Sequence, residues 1–241
     1  MTKLIVGNQK TYLNKEEFLA FLDGMKGSVC KDVVLAPSFP YIDIAASKSK
    51  FILCAQNVSD RENGATTGEV SAEQLSSLNV KYCIVGHSER RDNQKENSDI
   101  LTNKIIQLLN NNIIPIFCIG EHLDEKNDNL TKDVIGKEIM EVYNLLDSDQ
   151  IEKIILAYEP IWAIGSGLTP TNDEIAETTN YIKDLIIDKY EVSSKVLYGG
   201  SVSKKNIDLL NEIDVVDGYL IGGASTKAEE FLYIMSKNSK R

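Results

Sequence analysis

The chain has 241 residues, of which 42% are hydrophobic and 26% are charged, and this composition is typical of a globular protein. Its net charge of −10 argues against nucleic acid and against an anionic membrane as partners. An anionic substrate would therefore need a pocket that is locally positive. Residues 1–10 lack the apolar stretch of a signal peptide, and no run is long enough to span a membrane. We expect a cytoplasmic protein.

Eight short apolar runs recur along the chain and predict β-strands. They cover residues 4–6, 33–36, 51–55, 82–85, 113–119, 154–158, 196–198 and 219–221. Segments with helical spacing and helix-start signals lie between them. They cover residues 15–25, 72–78, 97–109, 132–146, 172–189, 204–210 and 227–236.

This strand–helix alternation in units of about 30 residues predicts a parallel sheet and favours a closed (βα)₈ barrel. A doubly wound open sheet is the competing architecture. It usually carries a G-x-G-x-x-G turn after the first strand, whereas this chain has Gly7-Asn8-Gln9-Lys10. No linker or low-complexity tract divides the chain, so we expect one domain over residues 1–241. The polar stretch 121–129 reads as a solvated loop.

In such barrels the active site lies at the carboxyl ends of the strands. The residues that follow the sixth strand read E-P-I-W-A-I-G-S-G, residues 159–167. Glu159 is a carboxylate at a strand end, followed by an apolar patch between Pro160 and two glycines. A catalytic base beneath a closing lid has this pattern, and so does a capping acid beside a surface loop. The segment alone leaves both interpretations open.

His87 follows the fourth strand and is one of two histidines in the chain. Residues 88–91 should open a helix, whose positive end favours a neutral imidazole able to donate a hydrogen bond to a carbonyl. His122 has no such setting and reads as a surface residue. Lys10 can supply the positive charge that an anion needs, with Glu89 as its counter-ion.

Two glycine pairs follow the seventh and eighth strands, at residues 199–200 and 222–223. Each alone is a weak signal, but together they fall where these barrels bind phosphate through backbone N–H groups. The glycine pairs therefore predict a phosphorylated substrate. They predict it without a metal ion, because no cluster of acidic residues and histidines suggests a metal site. The four cysteines are too widely spaced for a metal or redox motif and fit a reducing compartment.

The same residues resemble the triosephosphate isomerase family. The matching motifs occur in the family's order across essentially the whole chain. They are G-N-x-K at 7–10, A-Q-N at 55–57, G-A-x-T-G-E-V-S at 64–71, V-G-H-S-E-R-R at 85–91, C-I-G-E at 118–121, A-Y-E-P-I-W-A-I-G-S-G at 157–167, Y-G-G-S-V at 198–202 and D-G-Y-L-I-G-G-A-S at 217–225.

The resemblance implies an aldose–ketose isomerase of glycolysis and gluconeogenesis. It would interconvert dihydroxyacetone phosphate and D-glyceraldehyde 3-phosphate without a cofactor. Glu159 would move the proton between two carbons, and His87 would be the neutral electrophile. Lys10 and Asn8 would steady the enediolate oxygens, and Glu89 would position Lys10.

Further residues are assigned by the same resemblance. Residues 160–168 would form a lid that excludes water, and Ile164 and Leu220 would press on the base. Backbone N–H groups would bind the phosphate at Gly165, Ser201, Gly222 and Gly223. Family members are usually homodimers, and Thr67 would reach the neighbouring site.

Two other functions compete with this one. Another phosphosugar-binding barrel enzyme would explain the glycine pairs, but not the combination of His87, Lys10 and Glu159. A barrel with an additional binding or adhesion role is compatible with the sequence. An intact catalytic set argues against adhesion as the sole role.

Overall fold

The computed structural model describes residues 2–28, 33–164 and 168–238. Within these ranges eight parallel strands close into a barrel, in the order in which they occur along the chain. The first strand closes the ring, since it pairs with the second at Ile5–Val33 and with the eighth at Leu4–Gly218. The strands, β1 to β8, are Leu4–Asn8, Val33–Ala36, Ile52–Ala55, Tyr82–Val85, Ile114–Ile119, Ile155–Tyr158, Val196–Tyr198 and Gly218–Ile221. The predicted (βα)₈ barrel is confirmed.

Helices surround the barrel on its outer face. Within the described residues the α-helices, α1 to α11, are Lys15–Gly24, Ile42–Lys48, Ala72–Ser77, Ser88–Gln94, Ser98–Asn110, Leu123–Asn127, Thr131–Tyr143, Ser148–Ile151, Asn172–Tyr190, Ile207–Leu210 and Ala228–Lys237. Single turns of 3₁₀-helix occupy Phe39–Tyr41, Ile161–Ala163 and Gly223–Thr226. None of these helices combines the length and the apolar content that a membrane span needs.

The periodic pattern located the long helices to within a few residues, together with the short helices α3 and α10, and overlooked three other short ones. The helices α2, α6 and α8 have four to seven residues, too few to show a 3.6-residue repeat. Residues 121–129 are mostly exposed, as predicted, but they do not form a plain loop, because α6 occupies Leu123–Asn127 and Glu121 is buried. The surface assignment of His122 is confirmed, since its side chain is 47% exposed.

Two apolar layers hold the barrel together. Side chains that point inward from the strands fill its interior, so the barrel is a packed core and no open channel. The strands' outward side chains pack against the helices in a larger second layer. Cys54 and Cys118 belong to the interior and Cys83 to the outer layer. Burial raises the pKa of all three thiols. Cys30 lies outside the described residues.

Candidate active site

A cavity of about 300 Å³ opens at the carboxyl ends of the strands. Lys10, His87 and Glu159, which follow strands β1, β4 and β6, all line it. Other predicted site residues line the same cavity: Asn8, Ile164, Ser201, Leu220, Gly222 and Gly223. The structure thus gathers at one rim side chains that are far apart in the sequence.

Glu159 stands at the end of β6 with only 2% of its surface exposed. Its Oε2 accepts a hydrogen bond from the backbone N–H of Ser88 at 3.2 Å. Its Oε1 lies 3.2 Å from Nε2 of His87. One backbone donor and one imidazole therefore hold the carboxylate at the cavity wall.

Two glycines make the room that Glu159 needs. A Cβ atom on Gly120 would lie 1.7 Å from the carbonyl oxygen of Glu159, and one on Gly199 would lie 2.9 Å from its Cγ. Both distances are shorter than packed atoms tolerate. Gly120 follows β5 and Gly199 follows β7, so the strands on both sides of β6 end in a residue without a side chain.

His87 caps the N-terminus of α4 with its own ring. Its Nδ1 accepts a hydrogen bond from the backbone N–H of Glu89 at 3.2 Å. A nitrogen that accepts this bond carries no proton, so the proton of the neutral ring is on Nε2. That N–H faces the cavity and Glu159. The helix N-terminus inferred from the sequence thus fixes the tautomer of the ring.

Lys10 adopts a left-handed backbone conformation, with φ of 48°, which is uncommon for a residue other than glycine. Three hydrogen bonds stabilise it. Its N–H donates to Oδ1 of Asn8 at 3.1 Å. Its carbonyl oxygen accepts from Oγ of Ser38 at 2.7 Å and from Nε2 of Gln56 at 2.9 Å. The side chain then reaches Glu89, with Nζ 2.5 Å from Oε1.

Arg91 braces the strand ends beneath the site. Its guanidinium donates to the carbonyl oxygens of Gly86 and Cys118, each at 2.8 Å, and lies 3.2 Å from a carboxylate oxygen of Glu138. Glu138 in turn accepts from the N–H of Gly120 at 2.9 Å. Burial raises the pKa of Glu138, and the charge of Arg91 opposes that shift. This network connects β4 and β5 to α7, next to the glycine that accommodates Glu159.

Glu121 anchors the segment that follows Glu159. Its Oε1 accepts from the indole N–H of Trp162 at 2.9 Å and from the hydroxyl of Tyr158 at 3.2 Å. Its carbonyl oxygen accepts from the N–H of Ile161 at 3.1 Å. Among the described residues no group hydrogen-bonds its Oε2. Burial raises the pKa of the Glu121 carboxyl, and the indole hydrogen bond partly offsets that shift.

Comparison with known proteins agrees with this geometry. The family model described as triosephosphate isomerase matches residues 3–238. The chain belongs to the triosephosphate isomerase family. It is 40% identical to the triosephosphate isomerase of Mycoplasmopsis pulmonis, with 98% of each chain covered. It is 38% identical to that of Clostridium botulinum, covering 98% of this chain and 99% of the relative. Identity to the Vesicomyosocius okutanii protein is 37%, covering 96% and 97%.

Two predicted residues of the family's site, Glu89 and Thr67, are not among the described residues that line the cavity, and a third cannot be placed. Glu89 sits beside the cavity and pairs with Lys10, with its side chain 53% exposed. Thr67 is exposed on the loop between β3 and α3. Gly165 lies outside the described residues, as does the middle of the predicted lid, residues 165–167.

Positioning residues such as Ser38, Gln56 and Arg91 are not among the predicted site residues. Gln56 and Arg91 lie within the motifs A-Q-N and H-S-E-R-R that carry the family resemblance, so these motifs could have indicated both residues. Ser38 stands outside every motif, in the connection after β2. Its role depends on a hydrogen bond to the backbone of Lys10, and backbone partners leave no residue-specific pattern.

Proposed function

We propose that this chain is an isomerase that interconverts dihydroxyacetone phosphate and D-glyceraldehyde 3-phosphate. One observation carries the proposal. A buried carboxylate, Glu159, and a neutral imidazole, His87, lie 3.2 Å apart at the wall of a cavity that Lys10 also lines. This is the set of a base, a hydrogen-bond donor and a cation that an enediolate reaction requires. Membership of the family agrees with it.

In the proposed mechanism the Glu159 carboxylate removes a proton from C1 of dihydroxyacetone phosphate. The C1–H electron pair becomes the carbon–carbon double bond of the enediolate, and the C2 carbonyl becomes an oxyanion. The Nε2–H of His87 donates to the substrate oxygens, and the Lys10 ammonium offsets the developing charge. The hydroxyl proton on O1 passes to the C2 oxyanion by way of the His87 imidazole. Glu159 then returns to C2 the proton that it took, so that the double-bond pair forms the new C2–H bond and the electron pair left on O1 forms the aldehyde carbonyl. The reaction conserves all atoms and electrons, so no cofactor takes part.

Backbone N–H groups of Ser201, Gly222 and Gly223 would bind the phosphate. They line the cavity on the side of β7 and β8. A second, adjoining depression shares Ser201 and is bordered by three lysines and two glutamates, namely Lys204, Lys205, Lys227, Glu229 and Glu230. These charges sum to +1, in a chain whose net charge is −10. This local excess of one positive charge favours an anionic substrate. Gly165 completes the proposed set.

We also propose a homodimer in the cytoplasm. The loop of residues 61–69 is almost wholly exposed in the single chain, and Thr67 stands in it. Tyr12 borders the cavity with 63% of its surface exposed, an unusual value for an aromatic residue. A neighbouring copy that inserts this loop beside Asn8 and Lys10 would cover such a surface. Molecular mass in solution tests this: a monomer at assay concentrations would exclude it.

A coupled assay of the purified protein with each triose phosphate tests the activity. We expect turnover in both directions, with competitive inhibition by phosphoglycolate, a planar mimic of the enediolate. The alternative of another phosphosugar enzyme is not favoured, and it would show inhibitor binding without isomerisation. A purely binding or adhesive protein would show neither. An inactive but folded protein would refute the proposal.

A further inference from the structure

Trp162 follows Glu159 by three residues and is held from two sides. Its indole N–H donates to Glu121, and on its ring face Nζ of Lys126 lies 4.1 Å from the ring centroid. A cation at this distance over an indole forms a cation–π contact. Lys126 belongs to α6, the short helix that the sequence analysis read as a solvated loop. The indole is therefore fixed at its edge and on its face.

Lys126 makes a second contact, at the other end of the same connection. Its Nζ lies 2.8 Å from Oε1 of Glu174 at the start of α9. Glu174 closes that helix's capping box: its Oε2 accepts from the N–H of Thr171 at 2.7 Å and from the hydroxyl at 3.0 Å. The hydrogen bond from Lys126 lowers the pKa of Glu174.

One ammonium group thus touches both described ends of the connection between β6 and α9. The first end is the 3₁₀ turn Ile161–Ala163, which is followed by Ile164 at the cavity wall. The second is the cap of α9 at Thr171. The lysine side chain is only 28% exposed, so water reaches it less than it reaches an ordinary surface lysine.

We propose that Lys126 is a positioning residue that ties Trp162 to the start of α9 and thereby holds Ile164 against the substrate. This inference rests on the proposed function for its kinetic part only. Lys126 does not line the cavity and touches none of the proposed reacting groups. It acts through the indole, so its loss should affect substrate binding more than the proton transfer itself.

The test compares variants at Lys126 with a control variant at Lys132, a lysine of the next helix, α7. Lys132→Met is the control, since Lys132 bridges to Glu177 of α9 at 2.7 Å and its Nζ lies 5.8 Å from the ring centroid of Tyr181. Lys132 resembles Lys126 because it pairs with a glutamate of α9 and lies near an aromatic ring, but that ring is Tyr181 and not Trp162. Lys126→Met retains the aliphatic stem and removes the charge, and Lys126→Arg retains both interactions.

Trp162 is the only tryptophan of the chain, so its fluorescence reports on this site independently of activity. We expect Lys126→Met to raise the acrylamide quenching constant of the native protein about twofold. It should raise KM for the triose phosphate about two- to fivefold, the effect of losing one cation–π contact, with kcat nearly unchanged. Lys126→Arg should restore both values, and Lys132→Met should change neither.

Glu174→Gln separates the two contacts of Lys126. Glutamine also serves in a capping box, so the cap of α9 is preserved while the ion pair is lost. We expect this variant to show part of the Lys126→Met effect, and the double variant to be no worse than Lys126→Met alone. Quenching and KM values for Lys126→Met equal to those of the wild type would overturn the proposal. If the protein proved inactive, the quenching comparison would still decide the positioning role.

Discussion

Nε2 of His87 lies 3.2 Å from Oε1 of Glu159, although the two residues follow strands β4 and β6, which are not neighbours in the barrel. Strand β5 passes between them and is followed by Gly120, whose missing side chain leaves room for the backbone of Glu159. The proton on Nε2 is fixed from the opposite side of the ring, by the Glu89 N–H that Nδ1 accepts. The proposed base and the proposed electrophile are therefore preorganised by backbone N–H groups at the start of α4 and by the space that Gly120 leaves after β5.

The first prediction concerns Glu159. Replacing it with glutamine preserves the side-chain volume and removes the base. We expect turnover to fall by at least ~10²-fold, the low end for loss of a general base. The thermal midpoint should not fall by more than a few degrees, because the amide oxygen can still accept from Ser88. Steady-state kinetics and thermal unfolding measure these two quantities, and near-normal turnover would show that another group moves the proton.

The second prediction uses the two histidines as a pair. His87→Gln retains a side-chain amide at the cavity wall but loses the imidazole, and we expect kcat to fall about 10²-fold or more. His122→Gln is the control, because its side chain is about half exposed and lies beside Asp92, away from the cavity. Its kcat and KM should equal those of the wild type. Equal losses in both variants would indicate a general effect on folding and none specific to the site.

Much of the fold was predictable because the eight apolar runs and the turns between them repeat at regular spacing. Glu159, His87 and Lys10 were identifiable because each follows a buried strand within two residues and all three lie in motifs of one family, although each alone also has a structural interpretation. Their convergence at one rim follows from the parallel arrangement of the strands. The sequence therefore contained the site's principal residues once the barrel had been inferred.

The parts that were not predictable depend on distances between backbones. Nothing in the sequence indicates that Gly199 leaves space for Glu159, because a glycine pair after a strand suggests a phosphate loop equally well. Glu121 reads as one acid in a polar loop until its burial beside Trp162 is seen. Ser38 and Gln56 act on the carbonyl oxygen of Lys10, a partner that carries no residue-specific signal.

The third prediction follows from Gln56. Its Nε2 donates to the carbonyl oxygens of Lys10 and Ala36, each at 2.9 Å. Gln56→Leu should leave both oxygens without this donor, at a cost of about 1–3 kcal/mol in unfolding free energy. The left-handed backbone of Lys10 should then relax and displace its ammonium group. We expect KM to rise about tenfold, with a smaller rise in Ser38→Ala. A loss of stability with unchanged KM would mean that Gln56 has no influence on Lys10.

The fourth prediction concerns Gly199. An alanine there would place its Cβ 2.9 Å from Cγ of Glu159 and 3.3 Å from the carbonyl oxygen of Tyr158. The carboxylate must shift, and a displacement near 1 Å is enough to reduce turnover about 10²-fold. The added methyl group contacts Glu159 and Tyr158 and none of the proposed phosphate-binding residues, so the dissociation constant of phosphoglycolate should change less than kcat does. An unchanged kcat would show that the site absorbs the extra methyl group without moving the base.

The last prediction is a pH dependence at Glu121. Burial raises the pKa of this carboxyl above its ordinary value of 4.5, so the folded protein holds a proton there more tightly than the unfolded chain does. The resulting stabilisation is fully present below pH 4.5 and is lost as the pH rises through the folded-state value. Glu121→Gln cannot titrate, yet its amide oxygen can still accept from Trp162.

The thermal midpoint of the wild type, taken relative to that of Glu121→Gln, should therefore fall as the pH is raised from about 4.5 to 7. For a chain of this size each kcal/mol corresponds to roughly 2–4 °C. Glu121→Asp is the control, because it retains a titratable group at the same position and should retain the pH dependence. A constant difference between wild type and Glu121→Gln across this range would mean that Glu121 does not take up its proton on folding, despite its buried position beside the indole.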